Sequence, residues 1–249
     1  MIPVTLALAG TRPQPRSMRF PQALIPATLL RRYQRFLADV RLADGSVVTA
    51  YCPNTGRMLG YAQPGSRIWL SPRRSGRLAY TWELTETPDA LVLAHPHHAN
   101  ALVREALRRN AVAPLSGYQS VRAEVRYGVE NSRVDLLLQS PGRPDCFVEI
   151  KSVTAIDEFG IALFPDAVSQ RAARHMRELS RQVARGARAI VLFCVQREDA
   201  LALRAGGEID PVYAQALRDA ARDGVELLAW RCRVSCAGLA LQRRIPILR

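Results

Sequence analysis

Cys146-Phe147-Val148-Glu149-Ile150-Lys151-Ser152-Val153 alternates apolar and polar residues and includes β-branched ones, a pattern that predicts a strand. Alternation by two places Glu149 and Lys151 side by side on one face. Lys151 is singular: 34 of the 35 basic residues are Arg, so an ordinary surface charge in this chain is written as Arg. A compact ammonium, whose pKa moves readily on burial, fills a role that a planar guanidinium cannot. Glu-x-Lys alone is equally explained as an ion pair between sheet neighbours. The flanking sequence decides between the two.

Upstream, Asp135 stands near the start of a second apolar strand, Ser132-Arg133-Val134-Asp135-Leu-Leu-Leu. A helix before it carries Glu105. An Asp opening one strand, Glu-x-Lys on the next and an acid on the preceding helix resemble the PD-(D/E)XK nuclease pattern. Oxygen-only ligands suit Mg2+ or Mn2+. Such an ion polarises a phosphate and acidifies a bound water, while a nearby ammonium orients that water. The candidate catalytic set is Asp135, Glu149, Lys151 and Glu105, with Asp135, Glu149 and Glu105 as metal ligands. Glu124, on the strand over 121–127, competes with Glu105 as the additional acid. Asp145 is too close to Glu149 on the same strand, and Asp166 follows it, so neither is the first acid.

The rest of the chain reads as two parts. Residues 1–17 hold a short apolar run with no basic residue before it, so they are expected to be a disordered extension or a start assigned too early, with Met18 the true one. Residues 18–95 form the first part. Leu29 to Arg35 reads as a basic segment leading into a strand from Phe36, which turns at Asp44-Gly45 into Val47 to Cys52, a hairpin signal. Further strands over 67–70, 78–84 and 90–94 make a small β-barrel of the oligonucleotide-binding (OB) type. Residues 96–249 alternate strands with helices over 99–109, 167–185 and 211–222, which predicts an α/β (α+β) domain with a central mixed sheet.

Net charge is +13 and the pI about 10.5, pointing to a polyanion such as DNA, single-stranded or structured, rather than to a membrane. No stretch approaches the roughly 20 apolar residues of a spanning helix. On the 167–185 helix, Ala172, Met176, Leu179 and Val183 share one face, and Arg171, Arg174, Arg177, Arg181 and Arg185 gather opposite. The first four of these arginines are candidate phosphate contacts. Asn54, Thr55 and Arg57 in the turn Asn54-Thr55-Gly56-Arg57 expose an amide, a hydroxyl and a guanidinium for the same purpose. Gln170 and His175, on the Arg face and at the edge of the apolar face, are boundary positions from which a polar group could support the site. Tyr80, Trp82 and Trp69 are core or base-stacking aromatics. His95, His97 and His98 lack a clear fourth ligand and read as a His-rich exposed linker. Five cysteines in apolar or isolated settings fit free thiols in a reducing cytoplasm.

Phe36-Leu-Ala-Asp-Val, Cys52-Pro-Asn-Thr-Gly-Arg-Met58, Tyr80-Thr-Trp-Glu-Leu84, Glu124-Val-Arg-Tyr-Gly128, Ser132-Arg-Val-Asp135, Val148-Glu-Ile-Lys-Ser-Val153 and Phe164-Pro-Asp-Ala-Val168, in this order, resemble the sugar fermentation stimulation protein A family. The resemblance spans about Arg19 to Trp230. It implies an OB-type barrel joined to a restriction-endonuclease-like domain, a cytoplasmic protein and sequence-tolerant DNA binding linked to sugar catabolism. It carries the motif roles onto Asp135, Glu149 and Lys151, and leaves open a homodimer. It also leaves open two functions: a Mg2+- or Mn2+-dependent DNA phosphodiesterase, or a DNA-binding regulator without turnover.

Overall fold

A computed structural model describes residues 18–130 and 132–248. The expectation for residues 1–17 lies outside them. In chain order the elements are β1 (Met18–Arg19), β2 (Ile25–Tyr33), β3 (Leu37–Leu42), β4 (Val47–Tyr51), β5 (Arg67–Pro72), β6 (Tyr80–Glu86), β7 (Leu91–Leu93) and α1 (His98–Arg108). They continue with β8 (Ser120–Tyr127), β9 (Ser132–Gln139), β10 (Cys146–Val153), β11 (Ala155–Ile156), β12 (Ile161–Phe164), α2 (Gln170–Ala184), β13 (Arg188–Val195) and β14 (Ala202–Ala205). The last are α3 (Pro211–Arg222), β15 (Glu226–Ser235), β16 (Gly238–Ile245) and β17 (Ile247–Leu248).

Strands β2 to β6 close into a five-stranded barrel in the order β4-β3-β2-β5-β6, sealed by the Tyr51–Thr81 pairing, and β7 extends its edge. The segment over 29–35, read from sequence as a basic lead-in, largely belongs to β2. Its alternation is broken because the β2–β3 register shifts between Leu29 and Arg31. A bulge of this kind changes which face the next residue takes, so the adjacent Arg31 and Arg32 do not look like strand residues. Trp82 is wholly buried in the barrel core, its indole N–H donating to the Leu84 carbonyl, so it is not a base-stacking group. Trp69 is buried as well, in the core shared with the other domain.

The larger sheet has the order β1-β16-β15-β13-β10-β9-β8, with β10, β13 and β15 parallel. Met18 and Arg19 pair with Leu239 and Gly238, so the first described residues complete this sheet instead of starting the barrel. A second sheet, β11-β12-β14-β17, is built from short segments too brief to show periodicity in sequence. Apolar residues cover both faces of the large sheet. Leu102, Val103 and Ala106 of α1, together with Trp69, Leu84 and Leu93 of the barrel, pack on one face against Val148, Ile150 and Leu192. Met176 and Leu179 of α2 and Tyr213 and Leu217 of α3 pack on the other against Val191 and Phe193. The barrel therefore shares a core with the α/β domain.

Candidate metal and nucleic-acid site

β10 is held between β9 and β13 over its first residues, and its two faces obey the expected alternation. Cys146, Val148 and Ile150 join the core beneath α1, while Phe147 and Val153 pack toward α2 and α3. Glu149 and Lys151 share the second parity, and their side chains meet: Lys151 Nζ donates to Glu149 Oε1 at 2.8 Å. His175 of α2 donates from Nδ1 to the same oxygen at 2.5 Å, and Arg171 Nε donates to His175 Nε2 at 3.4 Å. The second carboxylate oxygen, Oε2, is buried with no partner. Burial pushes the Glu149 carboxyl upward, but Lys151 and His175 outweigh it and hold it below the usual range.

Asp135 arrives from the neighbouring strand. The antiparallel β9–β10 ladder ends at Leu136–Val148, and beyond it Asp135 Oδ2 accepts the amide of Ile150 at 2.6 Å. A side chain thus takes the place of the next rung and fixes a carboxylate beside Glu149. Asn100 of α1 donates to Asp135 Oδ1 at 2.8 Å. Burial, and then the charge of Glu149, pushes the Asp135 carboxyl up to about 6. Two carboxylates so placed repel at neutral pH unless a cation joins them.

The structure brings Asp135, Glu149 and Lys151 together, and does not add Glu105. Five residues along the helix from Asn100, Glu105 lies about 140° around the axis, and its carboxylate pairs with Arg108 and Arg109. Glu124 is no replacement, since it is exposed and faces Arg133 at 3.5 Å. Asn100, the polar residue that does reach the site, follows buried Ala99 and gave no signal beyond its place near the helix start. Of the two α2 candidates, His175 is buried against Glu149, whereas Gln170 is exposed.

The proposed nucleic-acid contacts separate into three groups. Asn54 is not exposed: it is buried, donates to the Tyr61 hydroxyl, and Tyr61 in turn meets the Thr154 hydroxyl. Asp166 Oδ2 accepts the Met58 amide, so this turn joins the barrel to the α/β domain. Its amide is consumed by that joint, a role a turn motif does not reveal. Thr55 and Arg57 remain exposed. On α2, Arg177 and Arg181 both face Glu130, and Arg181 also pairs with buried Glu178, so half of the expected stripe is neutralised. Arg171 donates to His175, and Arg174 acts on Glu130 only through its charge, so neither is tied up in a close ion pair among the described residues. A cavity of about 50 Å³ lies past the end of β10, lined by Asn54, Ser152, Thr154 and Asp166 and not by the carboxylate pair.

Residues 30–94 match the family model described as SfsA N-terminal OB domain, and residues 97–238 the one described as Sugar fermentation stimulation protein RE domain. The chain belongs to the SfsA family. Sugar fermentation stimulation protein homologs from Maricaulis maris and Geobacter sulfurreducens are each 51% identical, covering 92% and 93% of this chain and 98% and 99% of theirs. The structure of Pyrococcus furiosus SfsA in complex with Ca2+ is 26% identical and superposes with a TM-score of 0.84, covering 93% of this chain and 98% of that one. The barrel and the mixed-sheet domain are thus the two modules of an SfsA protein. Among the described residues no helix is long and apolar enough to cross a membrane.

Proposed function

We propose that this SfsA protein is a DNA-binding, Mg2+- or Mn2+-dependent phosphodiesterase whose site is Asp135, Glu149 and Lys151, steadied by Asn100 and His175. The observation that carries it is the unpartnered, buried Oε2 of Glu149 beside a second carboxylate. A buried charged oxygen without a donor is unfavourable by itself and suits a hard cation. The SfsA relative solved in complex with Ca2+ supports divalent-cation binding on this fold. Asp135 and Glu149 would hold the ion, which when bound supplies charge for the scissile phosphate and acidity for a water. Lys151 holds Glu149 ionised and is itself an ammonium placed to steady charge on a phosphate. His175 fixes the orientation of Glu149 from α2, and Asn100 fixes Asp135 from α1.

Arg171 and Arg174 on the same helix offer charges to flanking phosphates, and the barrel adds to them: residues 25–93 hold 9 Arg against 5 acids. Supercoiled plasmid incubated with Mg2+ or Mn2+ is expected to be nicked by the wild type and not by Glu149→Gln or Lys151→Ala. Equal cleavage by all three, or none by the wild type with either ion, would overturn the catalytic reading. In that case DNA binding that survives Lys151→Ala and weakens steeply with salt would favour a regulator without turnover.

A further inference from the structure

We propose that Glu83, His95 and His98 form a transition-metal site of the zinc type that clamps the barrel to helix α1, separate from the carboxylate site. The three side chains come from three pieces of the chain: Glu83 from barrel strand β6, His95 from the connection after β7, and His98 from the first residue of α1. One ligand atom from each lies within 4.8 Å of the other two. His98 Nε2 contacts Glu83 Oε2 at 2.8 Å. The other Glu83 oxygen accepts from the Ser71 hydroxyl at 2.6 Å, an outer partner of the kind that orients a ligating carboxylate.

An ordinary His–Glu pair would need no third member, yet the His95 ring lies 4.3 Å from that of His98 and its Nδ1 is buried with no partner. An imidazole nitrogen so placed, neither donating nor accepting, is available to an ion. Glu83 is buried, with His98 on one carboxylate oxygen and Ser71 on the other. Two imidazoles and one carboxylate select borderline ions such as Zn2+ over Mg2+ or Ca2+, which prefer all-oxygen sets. Tetrahedral bonds of ~2.0–2.2 Å separate ligand atoms by roughly 3.3 Å, so insertion asks His98 and Glu83 to part slightly and the group to close slightly. Water would take the fourth position, with exposed His97 bordering it, its ring 5.4 Å from that of His95.

The clamp has a mechanical consequence. His98 stands two residues before Asn100, the group that holds Asp135, so an ion here would fix the helix start that positions the first acid.

The test uses the full chain, stripped with chelator and titrated with Zn2+ by calorimetry, with bound zinc measured by mass spectrometry and Co2+ used as a spectroscopic substitute. Wild type and Glu149→Gln are expected to bind one zinc per chain, to gain melting temperature with zinc, and to give a tetrahedral Co2+ spectrum. His95→Gln and Glu83→Gln are expected to lose all three responses while melting like the stripped wild type. If His95→Gln fails to fold, Glu83→Gln decides. Folded wild type that binds no zinc, or zinc retained by a folded His95→Gln or Glu83→Gln variant, overturns the proposal. Because Glu149→Gln removes cleavage and leaves zinc in place, failure of one site is distinguishable from failure of the other.

Discussion

Replacing Asp135 with Asn should stabilise the metal-free protein at neutral pH while removing divalent-cation binding. The Asp135 carboxyl, ordinarily 3.8, is pushed up to about 6 by burial and by the charge of Glu149. Between those values the folded state binds the proton more tightly than the unfolded one, so this group's stability is complete below about pH 4 and lost as pH rises through 6. The rise corresponds to ~3 kcal/mol, which partial exposure reduces to ~1–2 kcal/mol. Asn keeps the hydrogen bonds: its carbonyl accepts the Ile150 amide, and the Asn100 amide turns over to accept from the new NH2 group. For a chain of this size the gain is ~2–8 °C in melting temperature. Calorimetric melts at pH 8 and pH 4.5 with chelator present measure it, and Mn2+ titration of the same samples measures binding. No gain at pH 8, or an equal gain at pH 4.5, refutes the placement of Asp135 as a buried carboxylate beside the charge of Glu149.

Lys151→Arg should fail to restore the cleavage lost in Lys151→Ala, by ~100-fold or more, because a larger guanidinium cannot occupy a buried ammonium's position; wild-type rates in Lys151→Arg would refute it. His175→Ala should slow plasmid cleavage while leaving DNA affinity within about twofold in a gel-shift assay, since His175 touches Glu149 and is not exposed to phosphate; a large loss of affinity would count against that assignment. Arg171→Gln and Arg174→Gln should each lower the salt dependence of DNA binding by about one phosphate contact, whereas Arg181→Gln should act on stability through Glu130 and Glu178; equal slopes in all three would remove the helix from the interface. Gly128→Ala should destabilise by ~1–3 kcal/mol in urea, because its φ is +72° and a Cβ would strike the Glu178 carboxylate that holds Arg181; a change under ~0.5 kcal/mol would show that Glu178 yields freely.

The strands and helices with clean periodicity were legible from sequence, as α3 shows, with bounds Pro211–Arg222 as read. Strand β2 was hidden because a bulge interrupts its alternation, and the β11-β12-β14-β17 sheet because its strands are too short to show a period. At the site, Glu149 and Lys151 were paired by strand spacing, and Asp135 by its place in the adjoining strand. Asn100 and Glu105 could not be ranked from sequence, since only the packing of α1 against the sheet decides which side of the helix meets Asp135. Asn54 and Arg181 look like phosphate contacts in a list of polar residues. Their partners, Tyr61 and Thr154 for one and Glu130 and Glu178 for the other, come from distant positions in the chain.

Whether the site turns over is constrained by the physics of its own cost. A protein that only gripped DNA would gain by neutralising Asp135 and Glu149, because two carboxylates near a polyanion weaken binding and one of them lowers stability above pH 6. The chain instead spends structure on them: the Ile150 amide and Asn100 on one, Lys151 and His175 on the other. Residues that keep a destabilising pair ionised and oriented make sense where a cation and a phosphate meet between them. Loss of cleavage in Glu149→Gln, accompanied by unchanged or tighter DNA binding, is the combination that this reasoning requires. Weaker binding in that variant would instead mean that Glu149 serves the fold.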